Sequence, residues 1–415
     1  MKIGIVNQWF PPEYGGIASY NAYVARGYSE LGHEVTVLTA RTSPDQPRIS
    51  MTGGIRVIRI DHWIEPYRLR RLPVVGRHVR TVRHVFYSLQ VQRVLSGLVR
   101  THALDIVEFA EINAEGIMHV LRPSGVPTVV RSHTPHVLLN QTVTEDRGFD
   151  MGLIARIESA FVKRAEAVTA PSAHLARAVE REMRLPPHTV HVIPNPIDTE
   201  EFSPGPPRSS LCEPVTILYV GRLGREKGIF VLAEALALLA TGGTQAPWRA
   251  VIAGADRPDA AGHSNRAQLD DFFSKRGLSG RVELCGSVSQ EHLVALYRSA
   301  DVCVVPSIFY ESFSYTSVQA LACGKPVVAS SVGGIPEVVI DGETGFVIPP
   351  GDAQALAEAL RRLVDDGSLR AALGEAGRRR AVERYAYPII AGANLQLFAD
   401  ILSDSTFLAG PIRRF

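Results

Sequence analysis

Along this chain, short apolar and mostly β-branched runs alternate with stretches whose apolar positions recur every three or four residues. Glycine or proline stands at nearly every change of pattern. The first run, residues 2–7, is stopped by Trp9-Phe10-Pro11-Pro12. Glu13-Tyr14-Gly15-Gly16-Ile17 comes next, and Tyr20, Val24, Tyr28 and Leu31 then mark one face of a helix closed by Gly32-His33. Residues 35–39 are the next strand. Strand, loop, helix and strand in that order predict a parallel sheet wrapped by helices. Strand-like runs follow at 106–109, 128–130 and 168–170. His191-Val192-Ile193-Pro194-Asn195-Pro196 ends the first half, and residues 203–207 read as a proline-rich linker. The pattern then restarts, with a strand at 215–220, a glycine-rich loop at 221–228, and a helix through Phe230, Leu232, Ala235 and Leu238. Further strands are predicted at 250–253, 282–284, 302–305 and 326–330, and helices at 353–364, 368–385 and 388–402. The fold class is α/β, in two doubly wound halves.

A chain of 415 residues is long enough for two domains with buried cores. With 46% hydrophobic and 21% charged residues and a net charge of +2, its composition is that of a soluble globular protein. That balance neither demands nor excludes nucleic acid, and no nucleic-acid partner is expected. The N-terminus reads as a strand and loop, not a signal peptide. No apolar run approaches the ~20 residues of a membrane span, so the expected location is the cytoplasm. Cys212, Cys285, Cys303 and Cys323 lack CxxC spacing and are expected to be free thiols. There is no Asp-x-Asp pair and no histidine cluster with ligand spacing, so no metal is expected.

Residues 301–352 carry the clearest chemistry. A buried strand stops at Pro306, a short loop holds one acid, Glu311, and a helix begins near Ser312-Phe313-Ser314 and ends at Cys323-Gly324. A helix N-terminus against the carboxyl end of a buried strand offers unbonded N–H groups and a positive dipole end to an anion such as phosphate. A carboxylate beside that anion suits neutral donors, for example sugar hydroxyls. Phosphate plus polyol points to a nucleotide sugar, although the same residues also fit an ordinary βα unit with a surface glutamate. Arg222 and Lys227 flank the glycine-rich loop at the start of a helix, an arrangement suited to a diphosphate. Gly15 and Gly16 lie where backbone approaches a ligand at the end of the first strand, or else form a simple turn. Gly286 follows the strand at 282–284. Neither the GxGxxG fingerprint nor a Walker motif is present at these junctions. His133 falls just past a strand end, on the ligand side of a doubly wound sheet, where a histidine is either a catalyst or a hydrogen-bonded loop residue.

Residues 68–100 contain no acid. Arg68, Arg70, Arg71, Arg77, Arg80, Arg83 and Arg93 stand against Val79, Val82, Phe86, Leu89 and Leu98 at roughly helical spacing. This basic segment suits peripheral contact with an anionic membrane at the inner face or a phosphorylated acceptor. Alternatively it is a domain helix with its apolar face inward.

Taken in order, PPEYGGIA, RSHTPH, VIPNPIDTEEFSP, ILYVGRLGREKG, YESFSYTSVQALACGKPVVAS, GGIPEVV and DGETGFVIPPGD cover nearly the whole length. Through them the chain resembles the retaining glycosyltransferases of family 4 (group 1, GT-B fold). The resemblance implies two Rossmann-like domains facing across a cleft. Residues 1–200, with a returning helix at about 388–415, would bind the acceptor, and 201–387 would bind the donor. It implies a nucleotide-diphosphate sugar as co-substrate, a hydroxyl-bearing acceptor (a glycan, lipid-linked or small molecule), no resident cofactor and no metal requirement. By that likeness Arg222 and Lys227 bind the diphosphate and Gly15-Gly16 approaches it. His133 assists near the donor sugar, Glu311 meets sugar hydroxyls, and the N–H groups around Ser314, Tyr315 and Thr316 hold a phosphate. Anomeric configuration would be retained without a protein nucleophile, the leaving phosphate taking the acceptor proton on the same face of the sugar.

One departure stands out. The family's second acid, eight residues after the first, is replaced by Gln319. A glutamine can accept one hydrogen bond and donate another but lacks the charge of a diol clamp, so nucleotide affinity is expected to be weaker by about 1–2 kcal/mol. Acceptor choice is expected from loops at 9–15, 63–75, 111–116 and 133–150, in polysaccharide biosynthesis or natural-product glycosylation. The alternatives are a nucleotide-sugar-binding protein with weak or no transferase activity, or a phosphorylase or epimerase on the same scaffold.

Overall fold

The computed structural model describes residues 1–13, 15–61, 78–122, 124–142, 149–206, 213–259 and 261–403. The chain divides into two compact units, the first made of Met1–Pro196 and the segment from Tyr387 onward, the second of Ile197–Ala386.

Unit 1 holds β1 (Lys2–Val6), α1 (Gly16–Glu30), β2 (Glu34–Arg41), β3 (Ile49–Thr52), β4 (Ile55–Asp61), α2 (Val79–Arg100) and β5 (Ile106–Ala110). It continues with α3 (Ile117–Val120), β6 (Thr128–Arg131), α4 (His136–Thr142), α5 (Phe149–Val162), β7 (Ala167–Ala170), α6 (Ala173–Met183) and β8 (Val190–Val192). The sheet order is β3-β4-β2-β1-β5-β6-β7-β8. Its central strands are parallel and buried on both faces, which is why they read as near-continuous apolar runs. The periodicity reading missed β3 and β4, an antiparallel hairpin at the sheet edge. Its signal was present in Gly53-Gly54, both at positive φ (56° and 81°), the pair that a two-residue hairpin turn favours.

The basic segment forms α2, but of the apolar positions counted along the sequence only Leu98 lies on its fully buried face. Thr81, His84, Tyr87, Ser88, Val91, Gln92, Leu95 and Leu98 are buried, while Phe86 is exposed. The buried side is held by polar contacts: Ser88 Oγ accepts from the Met118 N–H at 3.1 Å, and Gln92 Oε1 lies 3.1 Å from His119 Nδ1. The last helix of unit 1, Tyr387–Ser403, lies on α1. Tyr28 meets Phe398 edge-on with ring centroids 5.7 Å apart, and a Cβ at Gly27 would lie 2.5 Å from that of Ala391, so the two helices touch where α1 has no side chain.

Unit 2 holds β9 (Val215–Val220), α7 (Ile229–Thr241), β10 (Trp248–Ala253), α8 (Asn265–Lys275), β11 (Val282–Gly286), α9 (Gln290–Ser299) and β12 (Val302–Val305). Then come α10 (Tyr315–Ala322), β13 (Val327–Ser330), α11 (Ile335–Val338), β14 (Gly345–Ile348), α12 (Ala353–Asp365) and α13 (Gly367–Tyr385). Its six strands are parallel, in the order β11-β10-β9-β12-β13-β14. Ile217, Tyr219, Ile252 and Val304 from the sheet pack with Leu232 and Leu236 of α7 and Leu360 of α12. Arg378 donates to the carbonyls of Thr199 (2.7 Å), Phe202 (3.0 Å) and Ala322 (2.9 Å), which ties residues 199–202 to unit 2. Cys285, Cys303 and Cys323 are free thiols, the last two buried; Cys212 lies outside the described residues. No described helix is long and apolar enough to cross a membrane.

Candidate functional site

In a doubly wound sheet, ligands bind beyond the carboxyl ends of the strands where the winding reverses. In unit 2 that point lies between β9 and β12, since β10 and β11 continue to one side and β13 and β14 to the other. The loops leaving β9 and β12 hold the predicted residues. A 3₁₀ turn, Arg225–Lys227, follows β9, and its Glu226 carbonyl accepts the N–H groups of Ile308 (3.1 Å) and Phe309 (3.2 Å) from the loop after β12. The two loops are thereby stitched together, and Lys227 Nζ donates to Glu311 Oε1, which also accepts from Ser307 Oγ at 3.1 Å. Two glycines make this possible. Gly228, at φ +71°, lies so close to the neighbouring loop that a Cβ would stand 1.8 Å from the Pro306 carbonyl oxygen. At Gly333, φ +55°, a Cβ would stand 2.0 Å from the Glu311 carbonyl oxygen.

Arg222 is exposed, and its guanidinium makes no hydrogen bond or ion pair with a described residue. Its carbonyl is fixed by the Tyr219 hydroxyl at 2.8 Å, so the backbone is rigid while the charged end is available. Ser314 caps α10: its Oγ accepts from the Ser317 N–H at 3.1 Å and lies 2.8 Å from Ser317 Oγ. The side chain is thus committed to the helix, and what α10 presents to an anion is the backbone of its first turn, Tyr315 and Thr316, with no acid in that turn. Tyr315 packs edge-on against Phe313 (5.8 Å). Gly286 ends the edge strand β11, two strands from β9, and is not brought to the Lys227–Glu311 pair.

Gln319 is not the free two-way group that its amide suggests. Its Oε1 accepts from the hydroxyl of Tyr297, a fully buried residue of α9, at 3.0 Å. Nothing in the local sequence pairs these two residues, which stand 22 positions apart on different helices.

In unit 1 the winding reverses between β1 and β5. Gly15, at φ 145°, precedes α1, and no atom would lie within 4 Å of a Cβ there; Gly16 is the first residue of the helix. His133 follows β6 and is buried. Its N–H and that of Thr134 donate to Glu111 Oε1, at 2.8 and 2.7 Å. Glu158 of α5 fixes the far end of the same loop, accepting from the His136 N–H (2.9 Å) and bonding His136 Nδ1 (2.6 Å), and it accepts from the Asn113 N–H at 2.7 Å. Burial, helped by the charge of Arg131, holds the His133 imidazole well below its usual pKa, so the ring is neutral. Its Nε2 is buried and without a partner among the described residues. Burial, and next the charge of Glu158, pushes Glu111 up to about 8, and burial pushes Glu115 up to about 7. Burial works against a charged His136, yet the bond and charge of Glu158 outweigh it and raise its pKa.

Arg131 joins two motifs quoted separately above: it donates to the Ile193 carbonyl and to Asn195 Oδ1, both at 2.7 Å, and lies over the Tyr20 ring at 4.6 Å. Sequence reasoning missed Glu111, Glu158 and Tyr297. For Glu111 a signal existed, since it directly follows a strand, buried on both faces, whose apolar run Glu108 already interrupts. Tyr14, Arg68, Arg70, Arg71, Arg77, the loop at 63–75 and residues 143–148 of the loop at 133–150 lie outside the described residues. Arg80 and Arg93 are exposed on α2.

Residues 14–201 match the family model Glycosyltransferase Family 4, and residues 209–380 match Glycosyl transferases group 1. The chain is 27% identical to the MMP alpha-(1->4)-mannosyltransferase of Mycolicibacterium hassiacum, over 96% of this chain and 98% of that one. Among solved structures it is similar to the sucrose-phosphate synthase from Thermosynechococcus elongatus, with TM-score 0.75 and 24% identity over 97% of this chain and 99% of that one. It is also similar to Anabaena HepE in complex with UDP, with TM-score 0.72 and 20% identity over 96% and 100%. With one model on the first half and the other on the second, in the order the motifs follow, the chain belongs to glycosyltransferase family 4 and is a hexosyltransferase-type enzyme.

Proposed function

We propose that unit 2 binds a nucleotide-diphosphate sugar, that a hydroxyl-bearing acceptor is glycosylated with retention of configuration, and that no divalent ion is needed. The observation that carries this reading is the convergence of Lys227, Glu311, the exposed guanidinium of Arg222 and the first turn of α10 on one switch point. Arg222, Lys227 and the α10 N–H groups take the diphosphate and neutralise the charge that grows as it leaves. Preorganised donors of that kind are worth about 3–4 kcal/mol each in a transition state. Glu311, already accepting from a hydroxyl at Ser307, takes sugar hydroxyls. Gly286, two strands away at about 4.8 Å per strand, belongs to the nucleoside end. HepE, of similar fold, is a complex with UDP, which supports a nucleotide at this kind of site. In unit 1 we assign His133 to the reacting centre, as a neutral hydrogen-bonding group rather than an acid, and the Gly15-Gly16 turn to close backbone approach. The loops at 9–15, 111–116 and 133–150 select the acceptor, and the exposed arginines of α2 make peripheral contact with anionic lipid.

The test is a panel of UDP-, GDP-, ADP- and TDP-sugars assayed for release of nucleoside diphosphate with and without candidate acceptors. Acceptor-dependent release from one donor, lost in Lys227→Ala, is the expected result. Turnover that needs inorganic phosphate, or no acceptor, would contradict it.

A further inference from the structure

We infer that position 319 offers its ligand a hydrogen-bond donor and not an acceptor, so that the donor site takes 2′-deoxyribonucleoside diphosphates nearly as well as ribonucleoside diphosphates. This rests on the donor reading above and adds the class of nucleotide.

The bond between Tyr297 and Gln319 fixes the direction. The hydroxyl of Tyr297 donates to Gln319 Oε1 at 3.0 Å. Thr316, on the same helix as Gln319, also reaches Tyr297 with its side chain. A phenol has one hydrogen, and here it is given to the glutamine oxygen. The Gln319 carbonyl oxygen is therefore turned toward a fully buried ring, itself held edge-on by Phe202 at 5.9 Å. The amide nitrogen makes no hydrogen bond with a described residue, and Gln319 is only half-buried. The –NH₂ is the end a ligand meets.

Gln319 also stands in the right place for the pentose. Thr316 and Gln319 are three residues apart on one helix face, so with the diphosphate on the first turn of α10, position 319 lies about 5 Å further along. With Glu311, ahead of the helix, assigned to the hydroxyls of the transferred sugar, the pentose is the group left for position 319. A carboxylate at 319 would accept from both pentose hydroxyls through charge-assisted bonds, and losing the 2′-hydroxyl would cost about 10- to 100-fold in affinity. An amide nitrogen donates to an oxygen lone pair, and the 3′-oxygen supplies one whether or not the 2′-hydroxyl is present.

The experiment is calorimetric titration of the full chain with matched pairs that differ only at the 2′ position: UDP and dUDP, ADP and dADP, GDP and dGDP. For the base that binds best, the wild-type preference for ribose is expected to stay within about 5-fold. It should rise to about 20-fold or more in Gln319→Glu. In Tyr297→Phe, where the released amide can turn its oxygen outward, it should rise at least about 3-fold. A wild-type preference already as steep as that of Gln319→Glu overturns the inference while leaving the donor site intact. A Tyr297→Phe ratio equal to wild type removes Tyr297 as the residue that positions Gln319. Binding of none of the six nucleotides would instead sink the donor reading, and this inference with it.

Discussion

The ammonium of Lys227 is bonded to the carboxylate of Glu311, 84 residues away in sequence and on the other side of the point where the second sheet reverses its winding. Each group holds the other beside the first turn of α10, and each has a ligand of opposite kind to take: an anion for the ammonium, hydroxyl donors for the carboxylate. Lys227→Ala is therefore expected to lower turnover by roughly 10²–10³-fold. The pair is partly open to solvent (side chains 27% and 17% exposed), and such pairs contribute only about 0–1 kcal/mol to stability. Steady-state rates beside a thermal melt check this. Unchanged turnover, or a melt shifted as much as the rate, would contradict the assignment.

Gly228 is the hinge of this arrangement. Replacing it with alanine imposes two costs at once: a side chain at φ +71°, and a Cβ 1.8 Å from the Pro306 carbonyl oxygen. Gly243 makes the comparison clean, since it has φ +69° with nothing within 4 Å. Gly243→Ala is expected to cost about 1 kcal/mol from backbone conformation alone. Gly228→Ala should cost about 3–5 kcal/mol because the loops after β9 and β12 must part. Urea unfolding of the two variants measures the difference, and equal losses would mean that the close approach is relaxed at little cost.

The positions most legible in the sequence were those whose signal is local. Apolar runs closed by glycine or proline marked the buried strands, and Ser312-Phe313-Ser314 followed by apolar helical spacing marked where α10 begins. What stayed hidden depends on partners distant along the chain. Periodicity pointed to Val79, Val82, Phe86, Leu89 and Leu98 as the packed side of α2; Leu98 is buried, yet the rest of the buried face includes Ser88 and Gln92, because their partners on the neighbouring helix satisfy them. Gln319 could be identified as a departure from a family pattern, but the Tyr297 hydroxyl that consumes its acceptor comes from another helix. Glu111 is visible as an acid beside a strand; that it holds the His133 loop is a contact between neighbouring strand ends.

Fixed cations at the diphosphate predict independence from divalent ions. Turnover in excess EDTA is expected to match that in added Mg²⁺ or Mn²⁺ within about 2-fold, because a guanidinium and an ammonium already supply two positive charges where a metal would bridge phosphate oxygens. Raising ionic strength should instead weaken donor binding by screening the exposed Arg222. A rate abolished by EDTA and restored by one metal would reverse this reading.

The last prediction concerns the buried acid beside His133. Burial, with Glu158 nearby, raises Glu111 from an ordinary 4.5 to about 8. Between those values the folded chain keeps a proton that the unfolded chain has released. Stability must therefore fall as pH rises through that window and level off above it, by about 1.4 kcal/mol per pH unit for one group. Glu111→Gln keeps an oxygen to accept the N–H groups of His133 and Thr134 but cannot ionise. The variant is thus expected to match wild type near pH 5 and to exceed it by about 3–5 kcal/mol near pH 9. The raised acid Glu115 is common to both proteins and cancels in the difference. Melts of both chains at unit steps of pH measure it, and a gap that does not widen with pH would show that Glu111 ionises in the folded chain as readily as in the unfolded one. The loop that carries His133 would then be held by a carboxylate throughout, and its geometry would not respond to proton uptake across the neutral range.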